Sequence, residues 1–268
     1  MEEFIQPGAK RAGGAVVVMG LSVALLCATS ALAQNRAPPS ADARPAPMSA
    51  EQRRDLSGIW TPDQGVIWDT SVGPGERPKA PFTPEYAALY QEALDASAAG
   101  KPMVDPPTQC LPPGFPRMMA SPFPFEIVQT PQVVYLLHEY MSQNRRMFMK
   151  ATAPKPAPFI TYNGFSVAQW DGDVLVVETD RMVADSVLDT THLPHSDELK
   201  VVERIRKLGP EKLEDQITLI DPKAYSRPWT VIRTYTKKPG EQILQYVCEE
   251  NNRNPVDEEG NTGFVGPQ

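Results

Sequence analysis

The sequence predicts a mainly β protein: an antiparallel up-and-down meander closing into a barrel, with one α-helix outside it or plugging an end. Three observations carry this. Asp171-Gly172 lies between two runs that alternate apolar and polar residues, within Tyr162 to Thr179, and an Asp-Gly pair in that setting marks a β-hairpin. From Phe125 onward, strand-like runs follow one another with short turns such as Gly209 to Lys212 and Pro239-Gly240. Only Thr83 to Ala99 shows helical spacing, with Tyr86, Leu89, Tyr90, Ala93 and Leu94 on one stripe.

The first 33 residues read as a signal peptide. Lys10 and Arg11 precede an apolar run from Ala15 to Leu26, and Ala31-Leu32-Ala33 is a small-x-small cleavage site, with cutting expected after Ala33. The run is short of the roughly 20 residues that span a bilayer, so no lasting membrane insertion is expected. Pro-, Ala- and Arg-rich residues 34–54 read as a flexible linker, residues 55–254 as one barrel domain and residues 255–268 as a tail. A periplasmic or secreted protein is the expectation.

Net charge is −7, and no Lys/Arg stripe is interleaved with aromatics, so nucleic acid is not an expected partner. The 29 prolines shorten helices and stiffen loops. Without the leader, Cys110 and Cys248 remain. In an exported chain they suggest a disulfide, with two buried thiols as the alternative.

Order is expected from Asp55. Gly58-Ile59-Trp60 opens the first strand. In the helix, Thr83 can cap, Pro84 suits the first position and Gly100 the end. Lys101 to Pro124 is Pro-rich and long, and carries Phe115, Met118, Met119 and Phe123; it reads as a strap anchored through Cys110. Strands are expected at 125–129, 133–140, 145–150, 165–170, 174–179, 199–208, 213–220, 230–236 and 243–248. In the hairpin, Trp170 is set opposite Asp173 and Ala168 opposite Leu175.

Polar residues on apolar faces supply the candidate site. His138 alternates with Val134 and Leu136, Glu203 with Val201 and Ile205, and Arg146 with Phe148. If all three point inward, they could meet inside the barrel. His138, Glu203 and His195 are then candidate acid and base residues. Arg146, His192, Trp229 and Arg227 are candidate ligand contacts. A slip of one residue in a strand would turn each of these groups to water instead. His192-Leu193-Pro194-His195 flanked by aspartates could hold a divalent metal, cover a ligand or simply shape a loop; no metal and no cofactor is assigned. Phosphate-binding, dinucleotide, Gly-x-Ser-x-Gly and His-Glu-x-x-His motifs are absent from the sequence.

Several segments together resemble a group of secreted bacterial proteins without an assigned reaction: Gln169 to Asp173, Leu175 to Thr179, Pro194 to Asp197, Val202 to Arg204, Asp221-Pro222, Tyr225 to Trp229 and Cys248 to Asn252. The resemblance runs from Trp60 to Asn252. The group often has Glu before the hairpin glycine, where this chain has Asp171. The opening Gly58-x-Trp60 resembles that of lipocalins and related barrels, which implies a tryptophan closing the barrel floor. Neither resemblance implies a reaction. Three functions stay open: binding of a small, partly apolar molecule; a lyase, isomerase or hydrolase built on His and Glu; and a structural envelope protein without a pocket.

Overall fold

A computed structural model describes residues 47–73, 76–101, 103–184 and 186–248, together with a short strand at Gly263–Phe264. The segments expected as signal peptide and most of the expected tail lie outside the described residues. Structure begins before Asp55: Ala50–Arg54 form a short helix, α1, whose cap Ser49 accepts from Gln52 N–H while the Gln52 side chain accepts from Ser49 N–H. That reciprocal capping box, and not linker character, governs this stretch.

Nine strands close a barrel. They are β1 (Gly58–Pro62), β3 (Phe125–Gln129), β4 (Val133–His138), β5 (Asn144–Met149), β6 (Phe165–Asp171), β7 (Val174–Asp180), β8 (Lys200–Gly209), β9 (Lys212–Ile220) and β10 (Trp229–Lys237). Their order round the wall is β1-β10-β9-β8-β7-β6-β5-β4-β3, returning to β1. A two-residue strand β2 (Met103–Val104) pairs with β11 (Gly263–Phe264) outside the barrel, so part of the expected tail is a strand.

Two expectations are corrected. The wall is not an unbroken antiparallel meander, because β5 and β6 run parallel, joined by the 150–164 crossover. Residues 243–248 form no strand, because β1 already occupies the free edge of β10. The hairpin pairing is also displaced by two. Asp171 pairs with Val174 and Trp170 with Leu175, so Gly172-Asp173 form the turn, with Gly172 at φ +60°. A shift of two preserves the faces, and Ala168, Leu175 and Val177 are fully buried.

The two ends of the barrel differ. At one, short turns join β3–β4, β6–β7 and β8–β9. Here Trp60 is fully buried, its indole N–H donates to Leu56 O (2.9 Å), and the Lys237 ammonium lies 5.5 Å from its ring centroid. At the other end, most of the long connections gather: 63–81, the strap entering β3, and the loops 181–199 and 221–228; the 150–164 crossover starts instead beside the β3–β4 turn, where Met149 N–H donates to Gln132 O, and returns to this end. The strap does more than cover this end. Phe115, Met118 and Met119 are at most 1% exposed, and the Phe115 ring lies 3.6 Å under the Arg145 guanidinium, on the inner face of β5.

Helix α2 (Pro84–Ala98) packs on this end through Tyr90 and Phe82, which in turn stacks on Tyr225. Leu89 on the expected stripe is 47% exposed. Thr83 occupies the N-cap position and its carbonyl accepts from Ala87 N–H, but its hydroxyl donates to Lys223 O and makes no cap bond. Cys110 and Cys248 form a disulfide across 138 residues, clamping the strap to the segment after β10.

Candidate functional site

The inner faces of β5 to β10 carry an ionic network. Arg145 donates to both Glu203 oxygens, Nη1 to Oε1 at 2.8 Å and Nη2 to Oε2 at 2.5 Å, to Ser166 Oγ (3.1 Å) and to Thr179 Oγ1 (2.8 Å). The pair is essentially inaccessible, at 1% and 0%. This corrects the sequence expectation for Arg146. On β5, Arg145 and Met147 point inward, whereas Arg146 is exposed on the outer wall with Phe148. The residue that meets Glu203 is the neighbour one position earlier, a register difference that turns the side chain through the wall.

Asp215 and Arg233 face each other across β9 and β10, with Tyr235 two residues further along. All three are at most 1% exposed. Burial, reinforced by the Glu203 carboxylate, pushes the Asp215 carboxyl well above its usual range. Asp215 is therefore held neutral beside the Glu203–Arg145 pair. Arg233 turns its guanidinium to the carbonyls of Gly65, Ile67 and Trp68, which ties the inner network to the 63–72 loop at the covered end.

At that end lies a cavity of about 100 Å³, bounded by Val66, Pro122 and Phe123 on the apolar side and by Arg117, Tyr140 and Asp189 on the polar side. Arg117 is held bidentately by Asp105, both buried. Asp189 accepts from Trp68 N–H (2.7 Å) and from the backbone and hydroxyl of Thr191 (2.8 and 2.6 Å). Burial still raises its carboxyl. Burial pushes the Tyr140 phenol up to about 12, so it stays protonated and can donate. Phe123 stacks on Tyr140 at 5.1 Å, and Tyr246 sets its ring edge-on against both.

The three histidines all sit at the covered end, but they do not share a centre. His138 is 2% exposed on the inner face of β4. Its Nδ1 accepts from Tyr140 N–H (3.1 Å), which leaves the proton on Nε2, facing Ser121 Oγ at 3.2 Å. Burial holds its ionisation down to about 3. The His195 Nδ1–H donates to Ser196 O (2.9 Å), and its Nε2 accepts from Ser186 Oγ (2.8 Å). That is the bond pattern of a nucleophile and its base, but Ser186 and His195 are 3% and 4% exposed. His192 takes a left-handed backbone, φ +61°, and its buried Nε2 has no partner among the described residues. Glu203 is committed to Arg145, so His138, His195 and Glu203 each bond elsewhere and form no common acid–base constellation.

Of the two other expected ligand contacts, Trp229 is buried edge-on against Tyr225 (5.8 Å) and Arg227 is exposed. Alternation along single strands could find His138 and Glu203. It could not find Arg145, Asp215, Arg233 or Asp189, because each is defined by a partner on another segment. Comparison with protein-family models, with curated proteins and with solved structures returns no match.

Proposed function

We propose that the chain is an exported barrel that binds a small, partly apolar molecule at its loop-covered end. The observation that carries this is the cavity at that end, which combines an apolar wall with a few convergent polar groups, Tyr140, Arg117 and Asp189, the usual make-up of ligand sites. Its polar side continues inward through Asp189, the Trp68 backbone and Arg233. At about 100 Å³ it takes a few heavy atoms, or one end of a larger molecule. The disulfide supports an oxidising compartment, and among the described residues no helix is long and apolar enough to cross a membrane.

Native mass spectrometry of the protein purified from an oxidising compartment tests this. A bound small molecule released on unfolding, and lost in a Thr190→Trp variant that fills the cavity, is the expected result. A bare mass, together with an unchanged melting temperature in millimolar short-chain acids, alcohols and amides, would overturn it.

A further inference from the structure

The wall has a second opening, on its outer face. β5 and β6 pair only over Met147–Met149 and Ser166–Ala168. Nearer the start of β5 the strands part, and a groove of about 440 Å³ lies on the outer wall between β5 and residues 161–165. That volume is within the range of small-molecule sites, about 300–1,000 Å³.

Three groups there have complementary chemistry. Arg146 is exposed and lines the groove, and among the described residues no carboxylate pairs with it. Phe148 and Phe165, also lining it, stack at 5.6 Å with 24° between their planes. A cation and an aromatic face thus border one groove, and the Asn163 amide, donating to Gln143 Oε1 (3.3 Å) and Asn144 O (3.1 Å), fastens the 161–165 side of it to β5.

The rim is held rigid. Gly164 has φ +65°, and a Cβ there would lie 2.4 Å from Asp180 O and 2.6 Å from Met182 Sδ. Thr161 N–H donates to Arg181 O, Val183 N–H to Thr161 O and Phe115 N–H to Tyr162 O. The backbone is therefore fastened to both the 181–183 turn and the strap. A groove fixed in this way loses little freedom when it is filled.

We propose that this groove binds a small aromatic carboxylate. The guanidinium of Arg146 takes the carboxylate and the Phe148–Phe165 face takes the ring. The site is independent of the end cavity.

Calorimetric titration of the intact, disulfide-bonded protein with benzoate tests it, with benzyl alcohol and acetate as probes lacking the carboxylate and the ring respectively. Saturable binding of benzoate is expected, at least tenfold weaker for each reduced probe. Arg146→Glu should weaken it tenfold or more, with unchanged melting temperature and circular dichroism, because Arg146 is exposed. Lys238→Glu, equal in charge change and remote, should leave it unaltered. The proposal fails if benzoate does not saturate, if acetate binds as well, or if Arg146→Glu and Lys238→Glu have equal effects. It also fails if Thr190→Trp, in the end cavity, abolishes binding while Arg146→Glu spares it.

Discussion

Arg145 and Glu203 meet through two parallel N–H···O bonds although their strands are separated by two others round the wall. Each intervening strand contributes one hydroxyl to the span, Ser166 from β6 and Thr179 from β7, themselves 2.9 Å apart. Every donor of the guanidinium that faces the wall is thereby satisfied, which a buried ion pair needs if its desolvation is to be offset.

Removing one partner leaves the other charge buried. Glu203→Gln should lower unfolding stability by about 3–5 kcal/mol, measured from the urea midpoint. Replacing both residues, Arg145→Met with Glu203→Leu, should cost less than Glu203→Gln alone. A double variant less stable than the single one would show that the pair adds net stability.

The buried His138 makes stability pH-dependent. Its ionisation is depressed from 6.5 to about 3, so its contribution is complete above the unfolded value and is lost as pH falls through the window from 6.5 to about 3. The full effect is up to about 5 kcal/mol. His138→Gln should flatten the pH–stability curve in that window.

Asp215 acts in the opposite direction. Burial and Glu203 raise its folded value, so the folded state keeps a proton that the unfolded chain releases near 3.9. Its contribution is present below that pH and declines as pH rises. Asp215→Asn should therefore gain stability relative to the parent between pH 4 and 7, read from melting temperatures across that range.

The disulfide closes a loop spanning 138 residues. In the chain-entropy description this is worth about 5 kcal/mol. Reduction with dithiothreitol, or Cys248→Ser, should lower the melting temperature markedly. Because Tyr246 lies two residues before Cys248 and packs on Phe123 and Tyr140, fluorescence from that aromatic cluster should change as well.

Gly164 is sterically required. Both its φ of +65° and the 2.4 Å approach to Asp180 O exclude a methyl group. Gly164→Ala should destabilise by about 2 kcal/mol or more, whereas Gly172→Ala, with open space around its Cβ position, should cost only the left-handed backbone penalty, about 1 kcal/mol.

Much of the wall was legible because half-buried strands alternate. The expected and observed limits of β3 coincide, and those of β4 to β10 differ by one or two residues at an end. Where both faces are apolar the alternation loses its direction. Met147 and Phe148 are both large, and Phe148 serves an outer ring pair, not the core, so alternation with Phe148 points Arg146 inward, the position that belongs to Arg145. The parallel β5–β6 pairing had no local signature, since it depends on a crossover whose Pro-rich composition reads as loop. Residues 243–248 have strand-like composition but no edge to pair with. Within the candidate site, His138 and Glu203 were visible as polar interruptions of apolar faces. Their partners were not, because Ser121, Tyr140 and Arg145 are brought to them by tertiary contacts alone.

The position of β1 bears on how the chain reaches this state. Trp60 pairs with Phe125 on one side and with Lys237 on the other, and the Lys237 side chain closes over Gly58 and donates to Ser57 O. The first barrel strand to be synthesised thus waits for the last. Pairing across such a separation in sequence is slow, and until it forms, both β1 and β10 keep open edges. Ring closure is consequently an event of the finished chain, and any C-terminal truncation that removes β10 leaves an open, adhesive sheet instead of a shorter barrel.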